Sequence, residues 1–150
     1  MENSKMVDYK KQGKRNKAMG ADFERRTRKD LEEKGYIVSK WQNNVITKSK
    51  EGVEYAPESY TIKPASPGMF RMMQTGFPDF VAYRRVGEFY KIIFVECKVN
   101  GYLSKIEKEK AKWYLKNKYC HVFYIAYKTK EKNRVKVNYK EVELKLKQKQ

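Results

Sequence analysis

Histidine is almost missing from this sequence: His121 stands alone among 150 residues, beside just two cysteines, Cys97 and Cys120. Neither cysteine has CxxC spacing, so the standard Cys/His zinc sites are excluded, and buried reduced thiols are expected. One histidine is poor material for a Ser-His-Asp triad, and Cys120 beside it reads as a strand-edge residue and not as a nucleophile. No apolar run approaches the roughly 20 residues that span a bilayer. No signal peptide opens the chain, so a cytoplasmic protein with no membrane partner is expected. There is no internal repeat, and low complexity is confined to the Lys/Gln-rich end. Acid is also in short supply, with 18 Asp plus Glu against 35 Lys plus Arg, a formal charge of +17. A sequence pI near 9.8 points to a polyanionic partner, nucleic acid first.

Hydrophobic residues make up 40% of the chain and aromatics 14%, enough for a packed core, so the charge does not signal disorder. A length of 150 residues fits one domain. Abundant Lys, Glu, Tyr and Ile with few Gln resembles the composition of thermophile proteomes. Residues 1–17 are basic and aperiodic, and are expected to form a flexible arm in which Lys14, Arg15 and Lys17 touch phosphates. The rest, 18–150, is expected to be the folded domain. Phe23, Thr27 and Leu31 at four-residue spacing, closed by Gly35, predict a helix over about 18–34. "YIVSKW" at 36–41 predicts a strand.

The segment 42–76 is broken by Pro57, Pro64, Pro67 and Gly68, and is expected to be a long irregular insertion in which "GVEYA" and "SYTIK" could pair. Its aromatics Tyr55, Tyr60 and Phe70, with Phe77 just beyond it, are expected to pack on the protein, with base stacking as the alternative. "DFVAYRRV" and "EFYKIIFVECKV" flank Gly87 as an antiparallel hairpin. Ser104 and Glu107 form a capping box for a helix over 104–118, with Ile106, Lys110 and Trp113 expected to face inward. "HVFYIAYK" predicts a buried strand. The alternating "NRVKVNYKEVELKL" predicts an edge strand whose Val135, Val137 and Tyr139 make it a candidate homodimer surface.

The charges in "KIIFVECKV" stand out. With a period of two, Ile92, Phe94, Glu96 and Lys98 share one strand face, so an apolar face ends in a carboxylate beside an ammonium. A surface ion pair is one explanation. The hairpin supplies another, because the start of one strand lies beside the end of its partner, which brings Asp79 to Glu96. Two adjacent carboxylates raise each other's pKa unless a cation separates them, and hard oxygen ligands suit Mg²⁺ or Mn²⁺. Glu24, two helical turns before Leu31, lies near the core azimuth of the first helix, with a solvated charged face as its alternative.

A helical Glu, then "PD" ahead of a strand, then "ECK" on the next strand, resembles the PD-(D/E)XK nuclease superfamily. "KAMGADFERRTRKDLEEKGYIV", "GFPDFVAY" and "FVECKV" are most similar to its archaeal Holliday junction resolvase branch, an archaeal or archaeal-virus type of nuclease, over about residues 17–128. The resemblance implies an α/β fold with a restriction-endonuclease-like core: a central mixed sheet of four to five strands flanked by helices. It implies Mg²⁺-dependent hydrolysis of DNA phosphodiester bonds, with Mn²⁺ as substitute. Asp79 and Glu96 would bind the metal with the Cys97 backbone carbonyl, Lys98 would orient or deprotonate the attacking water, and Glu24 would hold a water or a second ion. Two departures stand out. About 35 residues separate the first strand from the Pro-Asp pair, where relatives have a short loop. The second helix offers Glu107 or Lys108 where many relatives carry Gln.

The expected function is therefore a sequence-independent deoxyribonuclease on duplex DNA, with branched DNA as a further candidate substrate. A junction resolvase proper and a non-cleaving DNA-binding protein are the alternatives. Lys105 and Lys108 join the arm as candidate phosphate contacts, and Lys110 could contact phosphate in place of Lys108, a solvated helix face being the other and preferred reading of both Lys108 and Lys110.

Overall fold

A computed structural model of the protein describes residues 8–46, 60–65 and 76–145. The chain runs α1 (Tyr9–Glu33), β1 (Ile37–Lys40), β2 (Asn43–Ile46), β3 (Thr61–Pro64), β4 (Phe80–Val86), β5 (Phe89–Cys97), α2 (Lys105–Lys116), β6 (Val122–Glu131) and β7 (Arg134–Glu141). Five strands form a central mixed sheet in the order β1-β4-β5-β6-β7, and β2 pairs with β3 in a separate antiparallel pair. Among the described strands only β5 and β6 run parallel, and α2 makes the crossover between them.

Helix α1 begins at Tyr9, well before residue 18, so residues 9–17 are helical and not an irregular arm. The Asp8 carboxylate caps it by accepting from the main-chain N–H groups of Lys10 and Lys11. Lys, Gln and Arg are good helix formers, and this exposed stretch shows no apolar period because it buries no face against the other described residues. The second half is different: Phe23, Thr27 and Leu31 are buried. Past the C-cap Lys34, Gly35 turns the chain at φ +87°, a left-handed conformation that suits glycine, and Tyr36 N–H reaches back to the Leu31 carbonyl at 3.1 Å.

The β4–β5 hairpin closes at Val86 opposite Phe89 around Gly87, as the spacing predicts. Alternation then splits the core. Phe80, Ala82, Ile93 and Val95 pack under α1, while Phe94, Phe123 and Ile125 pack with Ala111 and Tyr114 of α2 on the opposite face. Tyr114 is fully buried, and a large aromatic so placed contributes about 1.5–3 kcal/mol. Helix α2 has the expected capping box, but Ile106 is exposed and the buried residues are Ala111 and Tyr114. Trp113 and Lys110 are half-buried.

β7 is an edge strand, yet Val137 and Tyr139 do not form an exposed apolar surface. Both pack against the core beneath α1, and the Tyr139 hydroxyl donates to Asp30 at 2.6 Å. In the 42–76 segment, Thr61–Pro64 pairs with Asn43–Ile46. "GVEYA", Tyr55 and Phe70 lie outside the described residues. Phe77 is buried and Tyr60 packs against the same cluster, so these two aromatics serve the protein interior. Both cysteines are free, Cys120 buried and Cys97 half-buried. Among the described residues no helix is long and apolar enough to cross a membrane.

Candidate active site

The short segment Gly76–Asp79 is pinned from three sides. Phe77 N–H donates to the Asn43 carbonyl at 2.9 Å, Trp41 N–H to the Asp79 carbonyl at 3.1 Å, and the Tyr114 hydroxyl to the Phe77 carbonyl at 2.7 Å. Gly76 is required by space: a Cβ there would stand 2.0 Å from the Trp41 carbonyl oxygen. The Phe77–Pro78 peptide is cis.

From this platform Asp79 meets Glu96. The register Phe80 opposite Val95, carried one residue outward, sets the two side by side. Asp79 N–H donates to Glu96 Oε2 at 3.0 Å, and Cys97 N–H donates to Asp79 Oδ2 at 2.8 Å. Each main chain thus holds the other strand's carboxylate, a reciprocal clasp at the end of the hairpin. Lys98 continues beyond β5, its N–H bonded to the Ala126 carbonyl at 2.9 Å. Its Nζ lies 3.6 Å from Glu96 Oε1 and 2.9 Å from Glu107 Oε1.

Electrostatics follow from this packing. Glu96 is 7% exposed. Burial first, and the neighbouring Asp79 charge second, hold its carboxyl well above the usual carboxylate range. Burial likewise raises Asp79, against the Cys97 N–H bond. Burial works to lower the Lys98 pKa, but hydrogen bonding to Glu107 and the charges of Glu96 and Glu107 prevail and raise it, so Lys98 stays an ammonium.

Glu24 is half-buried and projects from α1 toward the same region, where its charge helps raise Asp79. Its Oε2 is bound to Lys40 Nζ at 2.5 Å, and Lys40 lies 5.0 Å from the Phe80 ring centre. Asp79, Glu96 and Lys98 therefore converge in direct contact, whereas Glu24 joins them through its field and through Lys40. Lys14, Arg15 and Lys17 lie on the exposed first half of α1, and Lys105 and Lys108 on the outer face of α2.

Sequence reasoning overlooked Lys40, and for the site offered Glu107 or Lys108 only as the residue standing where many relatives carry Gln. Period two from the buried Val38 places Lys40 on the α1 side of β1, a signal that was present. Glu107 was visible as a capping residue. Its Oε2 accepts from Ser104 N–H at 3.1 Å while its Oε1 takes Lys98, so one side chain starts the helix and fixes the lysine.

Among the described residues no three His, Cys, Asp or Glu side chains gather closely enough to hold a metal by themselves. Magnesium does not need three, since it is commonly held by one or two carboxylates with water completing the octahedron. The clasp uses Asp79 Oδ2 and Glu96 Oε2, and a divalent cation held by these two carboxylates would offset the Asp79 charge that helps raise Glu96 and would favour the ionised form of both groups, which burial disfavours. The donor set therefore fits a hard cation. A cavity of about 280 Å³ between α1 and the β6–β7 hairpin, lined by Met19, Phe23 and Val135, is separate from this cluster.

Compared with known protein families, curated proteins and solved structures, the chain finds no match.

Proposed function

We propose that the protein is a metal-dependent deoxyribonuclease that hydrolyses duplex DNA, built on a restriction-endonuclease-like core. The observation that carries this reading is the Asp79–Glu96 clasp with the Lys98 ammonium 3.6 Å from Glu96. A purely structural sheet end gains little from a buried acid set against a half-buried one that repels it, whereas a phosphodiesterase needs paired oxygen ligands beside a cation. Asp79 and Glu96, with the Cys97 carbonyl, would hold Mg²⁺ or Mn²⁺. When bound, such an ion polarises the scissile phosphate and makes water a better nucleophile.

The chain's own residues supply the rest. Lys98, kept protonated and aimed by Glu107, stabilises the negative charge that grows on the phosphate, which suits it to an electrostatic role better than to that of a base. Glu24, restrained by Lys40, acts at longer range on the water side of the site. The +17 charge and the exposed lysines of α1 and α2 attract the backbone without reading sequence.

The test is a side-by-side digestion of linear duplex, supercoiled plasmid, single strand and a four-way junction at equal concentration. Degradation of linear duplex in Mg²⁺ or Mn²⁺, none in excess EDTA and little in Ca²⁺, is the expected result. Paired symmetric nicks confined to the junction would instead assign a resolvase. Binding without cutting under every metal would assign a DNA-binding protein on the same fold.

A further inference from the structure

Three lysines border the clasp, and two have carboxylate partners: Lys40 with Glu24, and Lys98 with Glu107 and Glu96. Lys110 is different. It follows Glu107 by three residues and precedes Tyr114 by four, so it lies on the inner face of α2 with them. Its side chain is half-buried, its Nζ donates to Asn44 Oδ1 at 2.9 Å, and it stands 5.9 Å from the ring centre of Phe77, two residues before Asp79. Among the described residues no carboxylate oxygen lies within 4.0 Å of that nitrogen. Asn44 is itself buried, and its Oδ1 also accepts from Val45 N–H at 2.8 Å, so the acceptor is fixed in place.

An ammonium has three donors, and Asn44 Oδ1 accepts from one of them. Withdrawing a cation from water without a counter-ion is unfavourable, and a bound anion reverses that balance. Burial accordingly pulls Lys110 below the usual lysine range, against the pull of Glu107 and Glu96. We infer that Lys110 is a phosphate-binding residue, its counter-ion being a backbone phosphate of the DNA laid across the Asp79–Glu96 site. The inference rests on the nuclease reading above. It also gives the β2–β3 pair a function: β2 carries the Asn44 that aims Lys110.

The measurement is the affinity for a short linear duplex across a range of salt, in Ca²⁺, for the wild type, Lys110→Gln and Lys110→Arg. One lost phosphate contact lowers the magnitude of the slope of log K against log salt by about 0.9. Lys110→Gln is expected to show that drop with an unchanged melting temperature, and Lys110→Arg to restore the wild-type slope. If Lys110→Gln folds poorly, Lys110→Met, equally uncharged, carries the same expectation. A role confined to holding Asn44 would change melting and leave the slope at its wild-type value, which would overturn the inference while the nuclease reading stood. Absence of any duplex binding by the wild type would overturn both.

Discussion

Strand β5 inverts the usual placement of its side chains. At one end Phe89 is 78% exposed, and near the other Glu96 is 7% exposed. A strand selected for stability alone would exchange them. The Phe89 end is a free hairpin tip, where Gly87 turns the chain and Val86 and Tyr90 are also exposed. The Glu96 end is enclosed by the Gly76–Asp79 segment, by α2 through Glu107, and by Lys98. Apolar groups left in water at the tip cost little and need no ligand. Burial at the other end raises the pKa of Glu96, whose carboxylate is held in place by the Asp79 N–H and the Lys98 ammonium. The contrast supports the proposal that the enclosed end is organised for a charged ligand.

The largest effect expected from breaking this contrast is on cleavage. Asp79→Ala, Glu96→Ala and Lys98→Ala should each lower the rate by about a hundredfold or more. Duplex affinity should stay near wild type, because binding rests on the distributed lysines and arginines. Glu24→Ala should lose less, since Glu24 reaches the clasp through its field and Lys40. Gel-based rates and filter-binding affinities check the set, and full activity in any of the first three would move the site elsewhere.

Next comes Gly76→Ala. The added Cβ meets backbone atoms of Trp41 and Gln42 that have no rotamer to yield. Destabilisation of about 1–3 kcal/mol is expected in urea unfolding, with cleavage falling as Asp79 shifts. Gly87→Ala at the tip, where φ is +62°, meets no neighbour and should cost less, on the order of 1 kcal/mol.

The effect of Glu96→Gln has the opposite sign. A carboxyl whose folded pKa exceeds its unfolded value stabilises the fold while protonated. That stabilisation is complete below about the ordinary value of 4.5 and is lost as pH rises through the raised folded value. The metal-free protein should therefore lose stability as pH climbs above 4.5, through Glu96 and Asp79 together. Glu96→Gln, which cannot ionise, should flatten that profile and melt higher near neutral pH. Melting curves in EDTA across pH test this, and a wild-type profile that rises over the same range would contradict it. Smallest of all, Phe89→Ser at the exposed tip should change stability by no more than about 0.5 kcal/mol and leave cleavage untouched.

Much of this contrast was legible in the residues themselves. Hairpin geometry and period two bring Asp79 to Glu96 with Lys98 beyond them, and the spacing of Phe23, Thr27 and Leu31 reveals the packed half of α1. These signals are local, set within one turn or one pair of neighbouring strands. What was not legible depends on tertiary contact or on its absence. The first half of α1 is exposed among the described residues and so carries no apolar period, and only its cap and composition hint at a helix. The pairing of Asn43–Ile46 with Thr61–Pro64 leaps a long intervening stretch, and the inward-facing reading of Lys110 cannot be told from a solvated helix face until Asn44 comes beside it. Tyr114 likewise resembles its neighbours in sequence. Its hydroxyl identifies it, bonded to the Phe77 carbonyl and accepting from Trp41 Nε1–H at 3.1 Å.

The most direct test of the central claim, that the Asp79–Glu96 pair exists for metal-dependent cleavage and not for the fold, is one comparison of wild type and Glu96→Gln. Both are assayed for single-turnover cleavage of a linear duplex in Mg²⁺, on samples whose melting temperatures are measured alongside. The account predicts a variant that melts at or above the wild type at neutral pH and does not cut. A variant that cuts as fast as the wild type, or one that is inactive because it has lost its fold, would contradict it.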